Sequence, residues 1–317
     1  MSNDPNLQLA LSAHSGAVSS ELREQITALA ATAQAHDGNP PLNDQTFIEL
    51  AQADDERLTA VLAHGSAEPN QEELLGTAIA FRDSDSTQWT VELVVAPKAR
   101  RRGIASAILQ QLEEHVGDLS RVQSWAHGDH PGAQVLAQRY ALSRQRDLNK
   151  MRRELPEKLA VPPLPEDLTL RTFTVGQDEV AWLAANAAAF ADHPEQGGLT
   201  RTDLDARIAE AWFDPAGFFL AEAANGQIQA FHWTKLVEPE TPDAERIGEV
   251  YVVGVHPAAQ GKGLGKVLTA TGVNYLLDRG MDAIMLYVDA SNTAAVKLYQ
   301  SLGFTVWDVD VMYGPTR

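Results

Sequence analysis

The stretch Val250–Leu268, VYVVGVHPAAQGKGLGKVL, decides how this chain is read. Its opening run of valines around a tyrosine predicts a strand. His256-Pro257 ends that strand, and Gln260-x-x-Gly263-x-Gly265 opens a segment that predicts a helix. A helix start of this kind is an anion site: its first amides lack partners inside the helix, and its dipole favours negative charge. The glycines let the backbone approach a phosphate closely, and Lys262 and Lys266 add positive charge. Two rival phosphate loops fail. A Walker A loop needs serine or threonine after Gly265-Lys266 and glycine at 260, where Val267 and Gln260 stand. A dinucleotide fingerprint starting at Gly261 needs glycine or alanine where Lys266 stands.

The element occurs twice. ELVVAPKARRRGIASAIL, Glu92–Leu109, repeats strand, proline turn and helix start, with Arg100, Arg101 and Arg102 as local charge. Pro97 and Pro257, Arg100 and Gln260, Gly103 and Gly263, Ala105 and Gly265, and Leu142 and Leu302 all lie 160 residues apart. A constant offset marks an internal duplication. It also aligns the chain with itself. Glu249 then matches Trp89, Val252 matches Glu92, Asn292 matches Gly132 and Tyr299 matches Arg139. Glu92 stands three residues beyond Trp89, an odd number, so it is expected on the opposite face of its strand.

Working outward, each half has the same order of elements, an α/β arrangement of the α+β type with a mixed sheet. The second half predicts helices near 176–191 and 200–212, and a hairpin of 218–223 and 227–236 around Asn225-Gly226. A strand at 249–255, a helix at 263–279 stopped by Gly280, a strand at 283–288, a helix at 293–302 and a strand at 304–313 follow. The first half predicts strands at 75–81, 89–95, 121–126 and 145–155, and helices at 103–116 and 132–142. Ile104, Ile108, Leu109, Leu112 and Val116 form the apolar stripe of the first of these helices. Four prolines in LPEKLAVPPLPED predict an extended linker over 156–167, dividing a domain at 1–155 from one at 168–317.

The chain has 317 residues, enough for two such domains, each able to bury its own core. A formal net charge of −18 disfavours non-specific binding to nucleic acid or to an anionic membrane. There is no cysteine, which excludes disulfides, thiolate metal sites and an acyl-cysteine intermediate. The nine histidines show no metal-ligand spacing, so no metal is expected. No long apolar run and no leader-like start is present, and a monomeric cytoplasmic protein is expected.

Gln260-x-x-Gly263-x-Gly265, together with Asn292-x-x-Ala295-x-x-x-Tyr299-x-x-x-Gly303-Phe304, resembles the GNAT family of N-acetyltransferases. The resemblance implies a mixed sheet whose two central parallel strands splay apart around the acetyl-pantetheine arm of acetyl-CoA, the co-substrate. It implies a general base at Glu249 and a general acid at Tyr299. Those residue types suit the chemistry. An amine arrives protonated and needs a carboxylate to free its lone pair; the departing thiolate needs a proton; the oxyanion needs a donor, here the Val255 amide. The first half lacks both proton-transfer groups at the matched positions.

A closer similarity is carried by HDGNPPLNDQ (His36–Gln45), WAHGDHP, the segment Asn186–Gly198, EAWFDPAG (Glu210–Gly217), FHWTK (Phe231–Lys235) and LYQSLGF (Leu298–Phe304). It is to the tandem members of the family that complete mycothiol by acetylating the cysteinyl amine of Cys-GlcN-Ins, a glucosamine–inositol pseudodisaccharide. It implies acceptor contacts at Asp44, Glu195, Lys235, Glu249 and Tyr287. It implies acetyl-CoA contacts at Val253, Gly254 and Val255, at Gln260, Gly261, Lys262, Gly263, Leu264, Gly265 and Lys266, and at Asn292, Thr293, Ala294, Ala295, Val296 and Lys297. A second acetyl-CoA is implied at Leu93, Val94 and Val95 with Arg101, Arg102, Gly103, Ile104, Ala105 and Ser106. Asp44, from the first half, would bring both halves to the acceptor. The residues alone leave open an acetyltransferase of another small amine or peptide, and a non-catalytic CoA-binding module.

Overall fold

The computed structural model describes residues 9–65, 73–82, 86–154, 157–191, 194–236 and 245–316, without the side chains of residues 44, 194 and 195. The chain forms two compact units, Met1–Leu148 with Val309–Arg317, and Asn149–Asp308. The divisions fall inside two strands, so they differ from a cut at 155 and 168: the last nine residues fold with the first unit.

The first unit runs β1 (Leu9–Ser15), α1 (Ser20–Asp37), α2 (Asp44–Gln52), β2 (Leu58–Gly65), β3 (Glu73–Phe81), β4 (Thr90–Val95), α3 (Ile104–Val116), β5 (Ser124–Ala126) and α4 (Pro131–Arg139), and holds the start of β6 (Leu142–Glu154). Strands β1 to β4 form an antiparallel sheet in chain order. Elements β1, α1, α2 and β2 have no counterpart among the sequence expectations. Helix α1 buries Ile26, Leu29, Ala30 and Ala33, a stripe half made of alanine and therefore faint in the sequence. Its ends are well signalled: the Ser19 hydroxyl accepts from the Leu22 amide, and Gly38 takes the left-handed conformation at φ 81°. Helix α3 buries Ile104, Ile108, Leu109 and Leu112 against β2 and β3, as its stripe predicts.

The second unit holds the rest of β6, then β7 (Leu168–Thr172), α5 (Glu179–Ala189), α6 (Pro194–Gly197), α7 (Arg201–Ile208), β8 (Phe218–Ala223), β9 (Ile228–Leu236), β10 (Ile247–Val255), α8 (Leu264–Asp278), β11 (Ala283–Asp289), α9 (Thr293–Ser301) and the start of β12 (Thr305–Pro315). Its strands lie in the order β11-β10-β9-β8-β7. Strands β7 to β10 are antiparallel to their neighbours, and β10 and β11 are parallel, which makes the sheet mixed. The hairpin turn runs Ala223–Gly226 with Gly226 at φ 82°, and the Gly226 amide donates to the Ala223 carbonyl. The residues read as a linker are held on this unit: Asn274 of α8 accepts from the Leu159 amide at 2.7 Å and donates to its carbonyl at 2.9 Å.

Two layers of core flank this sheet. Val250, Val273, Leu276, Ile284, Leu286 and Tyr299 pack on the α8 face. On the α5 face, Trp182 meets Phe218, Phe231 and Trp233 edge-on at 5.5 to 5.7 Å, and Phe218 stacks on Trp233 at 4.6 Å. Aromatic pairs of this geometry add about 0.5–1.5 kcal/mol each beyond the area they bury. His232 is buried on the helix side, its Nδ1 2.8 Å from the Leu268 carbonyl. Burial pulls its pKa down to about 4, so it stays neutral. A Cβ on Gly272 would lie 2.1 Å from its ring, so only glycine lets α8 approach this strand.

Candidate active site

In the second unit, β10 pairs with β11 from Ile247–Ala283 to Val250–Leu286, and the parallel register stops there. Beyond that point β10 is bonded to β9 alone, as far as Val255–Ala230. The His256 amide donates to the Gln229 carbonyl at 2.8 Å, on the β9 side. Successive strand amides point to opposite edges, so the Val255 and Val253 amides face the opened edge. This is the splay that the sequence reading expected.

The splay coincides with a bulge. The β9–β10 register shifts between Val250 and Val252, leaving Tyr251 as the extra residue. Val250 belongs to the core on the α8 side, whereas Tyr251 and Val252 both belong to the aromatic core on the α5 side. Glu249 therefore shares the α5 face with Tyr251. Strand β4 has an unbroken register against β3, with Thr90 opposite Phe81 and Glu92 opposite Ile79. Counting back across the bulge, Glu249 opposite Lys235 corresponds to Thr90, not to Trp89. The expectation for Glu92 is corrected too: it shares a face with Thr90, because the bulge changes the parity that a constant offset assumes.

The glycine loop has the same conformation in both units. Gly263 caps α8 at φ 78° and Gly103 caps α3 at φ 88°. Gly261 stands at φ 81°, and its partner Arg101 takes φ 65° without being glycine. A left-handed non-glycine residue costs about 1–2 kcal/mol, so the surrounding loop enforces this shape. The residue matched to Gln260 is committed in the first unit: Arg100 donates to Val95 O and, through both terminal nitrogens, to Asp37 at 2.7 and 2.6 Å. Those bonds pull the Asp37 carboxyl down to about 2. Gly265 faces α9, where an added Cβ would come within 3.2 Å of Leu298, so its smallness serves helix packing.

Past these helices the two units fall out of step. Helix α8 has 15 residues and α3 has 13. From there the matched positions are 162 apart. His130 and Asn292 are both side-chain N-caps, Tyr140 and Leu302 both close a helix, and left-handed Ala141 and Gly303 follow them. The counterpart of Asn292 is thus His130 rather than Gly132, and that of Tyr299 is buried Ala137 rather than Arg139. Arg139 instead donates to Ser106 Oγ at 2.8 Å, in the first turn of α3. The first unit still has no carboxylate at the Glu249 position and no tyrosine at the Tyr299 position.

Tyr299 is buried in α9 against Phe304, ring centroids 5.9 Å apart. Burial pushes its hydroxyl up to about 12, so it is protonated at neutral pH. Asn292 caps α9 by accepting from the Ala295 amide at 3.1 Å, and Thr293 to Lys297 form that helix's opening turns. Lys235 is the cross-strand partner of Glu249, and its Nζ lies 5.1 Å from the Trp212 ring and 5.7 Å from the Tyr251 ring. Tyr287 on β11 is 42% exposed, with Lys150 Nζ 5.7 Å from its ring. The side chains of Asp44, which opens α2, and Glu195, in α6, lie outside the described residues. Trp212, Tyr251 and Arg207, whose Nε donates to the Tyr251 hydroxyl at 3.0 Å, were missed in the sequence. Their signal was the unexplained aromatic Tyr251 within a valine strand.

Glu92 has a different setting from Glu249. It is buried and accepts from the Asn43 amide at 3.0 Å, Asn43 Nδ2 at 2.7 Å and Thr46 Oγ1 at 2.6 Å. His127 lies 3.7 Å from it through Nε2 and 3.0 Å from Asp310 through Nδ1. The carboxylate is an anchor for α2 and for the chain's last strand, with its lone pairs already engaged.

Residues 25–140 and 182–304 each match the acetyltransferase (GNAT) family. Proteins called mycothiol acetyltransferase are close in sequence: one from Arthrobacter sp. (strain FB24) is 48% identical over 95% of this chain and 94% of its own length. Another, from Thermobispora bispora, is 49% identical over 92% of this chain and 95% of its own. A tandem GNAT protein from the clavulanic acid biosynthesis pathway has a TM-score of 0.72 at 20% identity, covering 98% of this chain and all of that one, which speaks to fold. The chain belongs to the GNAT family, with one GNAT domain in each half. It is an acetyl-CoA-dependent N-acetyltransferase. No described helix is long and apolar enough to cross a membrane, and no described group of three or more His, Asp or Glu could hold a metal ion.

Proposed function

We propose that the enzyme transfers the acetyl group of acetyl-CoA to the cysteinyl amine of Cys-GlcN-Ins, giving mycothiol and CoA, and that the second unit does the chemistry. The observation that carries the site assignment is the end of parallel pairing at Val250–Leu286, which opens an edge of β10 between Glu249 and the glycine loop. The thioester arm lies along that edge, and the pyrophosphate meets the amides that start α8. Glu249 takes a proton from the acceptor ammonium. The amine then attacks the thioester carbon, and the oxyanion is met by the Val255 amide. The N–C bond forms, the C–S bond breaks, Tyr299 gives its proton to the sulfur, and the second proton that the nitrogen sheds restores the tyrosine hydroxyl. A group held protonated by burial is suited to that last step. Lys235, Tyr287 and Glu249 share the acceptor face, and Glu195 adds an acceptor contact by family resemblance. The close relatives carry the same printed activity over almost their whole length.

Offering acetyl-CoA with Cys-GlcN-Ins and, separately, with unrelated primary amines tests the acceptor. A preference of several orders of magnitude in kcat/KM is expected; comparable rates would favour a general small-amine acetyltransferase.

The first unit keeps the loop without the proton-transfer pair, and we read it as a second acetyl-CoA site that does not turn over. Gly263→Asp should raise the KM for acetyl-CoA by orders of magnitude, because a carboxylate enters an anion site. Nothing lies within 4 Å of an added Cβ there, so the cost to the fold is the backbone strain of a non-glycine residue at φ 78°, about 1–2 kcal/mol. Gly103→Asp should cost far less activity. Equal losses in two folded variants would overturn this division of labour.

A further inference from the structure

The glycine loop of the first unit departs from that of the second at two adjacent residues. Arg100 stands where the second unit has Gln260, and Arg101 stands where it has Gly261. Arg101 nonetheless keeps the left-handed conformation, at φ 65°. The steric penalty on a non-glycine residue there favours relaxing out of it by about tenfold relative to glycine. A loop free to relax would lose the shape that glycine gives the second unit without strain. The restraint on Arg101 must therefore come from its surroundings.

The chain is fixed on both sides of that residue. After it, Ile104 is buried in the core of the first unit. Before it, Arg100 is gripped from two directions. Its Nε donates to the Val95 carbonyl at 3.0 Å, at the end of β4. Its terminal nitrogens donate to the two carboxylate oxygens of Asp37 at 2.7 and 2.6 Å. A two-pronged pair of this kind fixes the orientation of the guanidinium as well as its distance. Asp37 is the last residue of α1. A carboxylate there meets the negative end of the helix dipole, an unfavourable place unless a cation answers it. His36 Nδ1 lies 2.8 Å from the same carboxylate, and His130 Nε2 lies 3.5 Å from Arg100 Nη1. In the second unit Gln260 is neutral and cannot form such an ion pair, and Gly261 needs none.

We propose that Asp37 is a positioning residue for the glycine loop of the first unit: through Arg100 it braces Arg101 in the left-handed conformation and so keeps the loop ready for acetyl-CoA, the task that glycine performs in the second unit. The readiness for acetyl-CoA rests on reading that loop as a second acetyl-CoA site. Asp37 acts only through Arg100, so helix α1 shapes a loop that lies 63 residues further along the chain.

The test is a double-variant cycle of Asp37→Asn and Arg101→Gly in the full chain. Asparagine keeps the shape of aspartate without the charged pair, and glycine takes φ 65° without strain. Two readouts are used. The first is calorimetric titration with acetyl-CoA in a Gly263→Asp background, where the site of the first unit is the one that remains. The second needs no ligand: hydrogen exchange of the Ala107 amide, which bonds the Gly103 carbonyl at 3.0 Å while the loop closes α3. With Arg101 present, Asp37→Asn should weaken acetyl-CoA binding about tenfold and speed the exchange about tenfold. In the Arg101→Gly background it should change either readout by less than about twofold. Equal effects in both backgrounds, as a general loss of stability would give, or no effect beside Arg101, would overturn the brace. If Asp37→Asn does not fold, Arg100→Gln, which removes the same ion pair, enters the same cycle with the same criteria. If the Gly263→Asp chain binds no acetyl-CoA, the second-site reading falls and the exchange cycle alone judges the brace. Acetyl-CoA binding beside unmoved exchange would remove the brace and leave the site.

Discussion

Glu249→Gln should lower kcat/KM for the acceptor by about 10²–10⁴-fold at neutral pH, with acetyl-CoA binding intact. The amide has the same shape, so the bulge and the cross-strand position opposite Lys235 persist. It cannot accept the proton that the acceptor ammonium must lose. The loss should shrink at high pH, where more of the amine arrives already deprotonated. Isothermal titration with acetyl-CoA and a steady-state pH profile make the comparison. Wild-type turnover at pH 7 in a variant that binds acetyl-CoA normally would assign the proton transfer to another group.

The second large effect concerns the buried cation of the first unit. Burial opposes the charge on His127, but its contacts with Asp310 and Glu92 outweigh that, and its pKa rises to about 9. The folded value lies above the unfolded value of 6.5. The stabilisation is therefore full below pH 6.5 and is lost as pH rises through about 9. A shift of this size corresponds to about 3 kcal/mol. Asp310 also accepts from the Gly128 amide at 2.9 Å, and Val311–Tyr313 pair with β5, so this carboxylate fixes the last strand to the first unit. Asp310→Ala leaves a buried imidazolium short of a partner, a defect that costs about 3–5 kcal/mol. The thermal midpoint should drop strongly at pH 6, and the gap from the parent should narrow by pH 9.5. An identical gap at both pH values would show that the carboxylate stabilises by packing or neutral hydrogen bonding alone.

Much of the site was legible because it is local. The loop glycines, the strand before them and the helix after them are neighbours in sequence, and their conformation follows from short-range sterics. The structure reproduces it even where Arg101 replaces a glycine. What the self-alignment misplaced has two causes. A bulge inserts Tyr251 without leaving a gap in apolar pattern, so Glu249 was set against Trp89 instead of Thr90. The two extra residues of α8 shifted the later matches, moving Tyr299 from Arg139 to Ala137. Neither change puts a carboxylate or a tyrosine at the matched positions of the first unit. The N-terminal elements escaped because α1 buries small alanines, which blur its stripe.

The sequence by itself determined the duplication, the glycine loop, and the carboxylate and tyrosine that only the second copy keeps. Tertiary structure decided which partners those groups have. Whether a glutamate is a structural anchor depends on neighbours far along the chain. Glu92 is surrounded by Asn43, Thr46 and His127, whereas Glu249 stands opposite Lys235 on β9, whose ammonium lies near the rings of Trp212 and Tyr251. Tertiary structure also decided that residues 309–317 complete the first unit. Strand register and buried charge are set by contacts between distant segments, and periodicity within one segment carries no record of them.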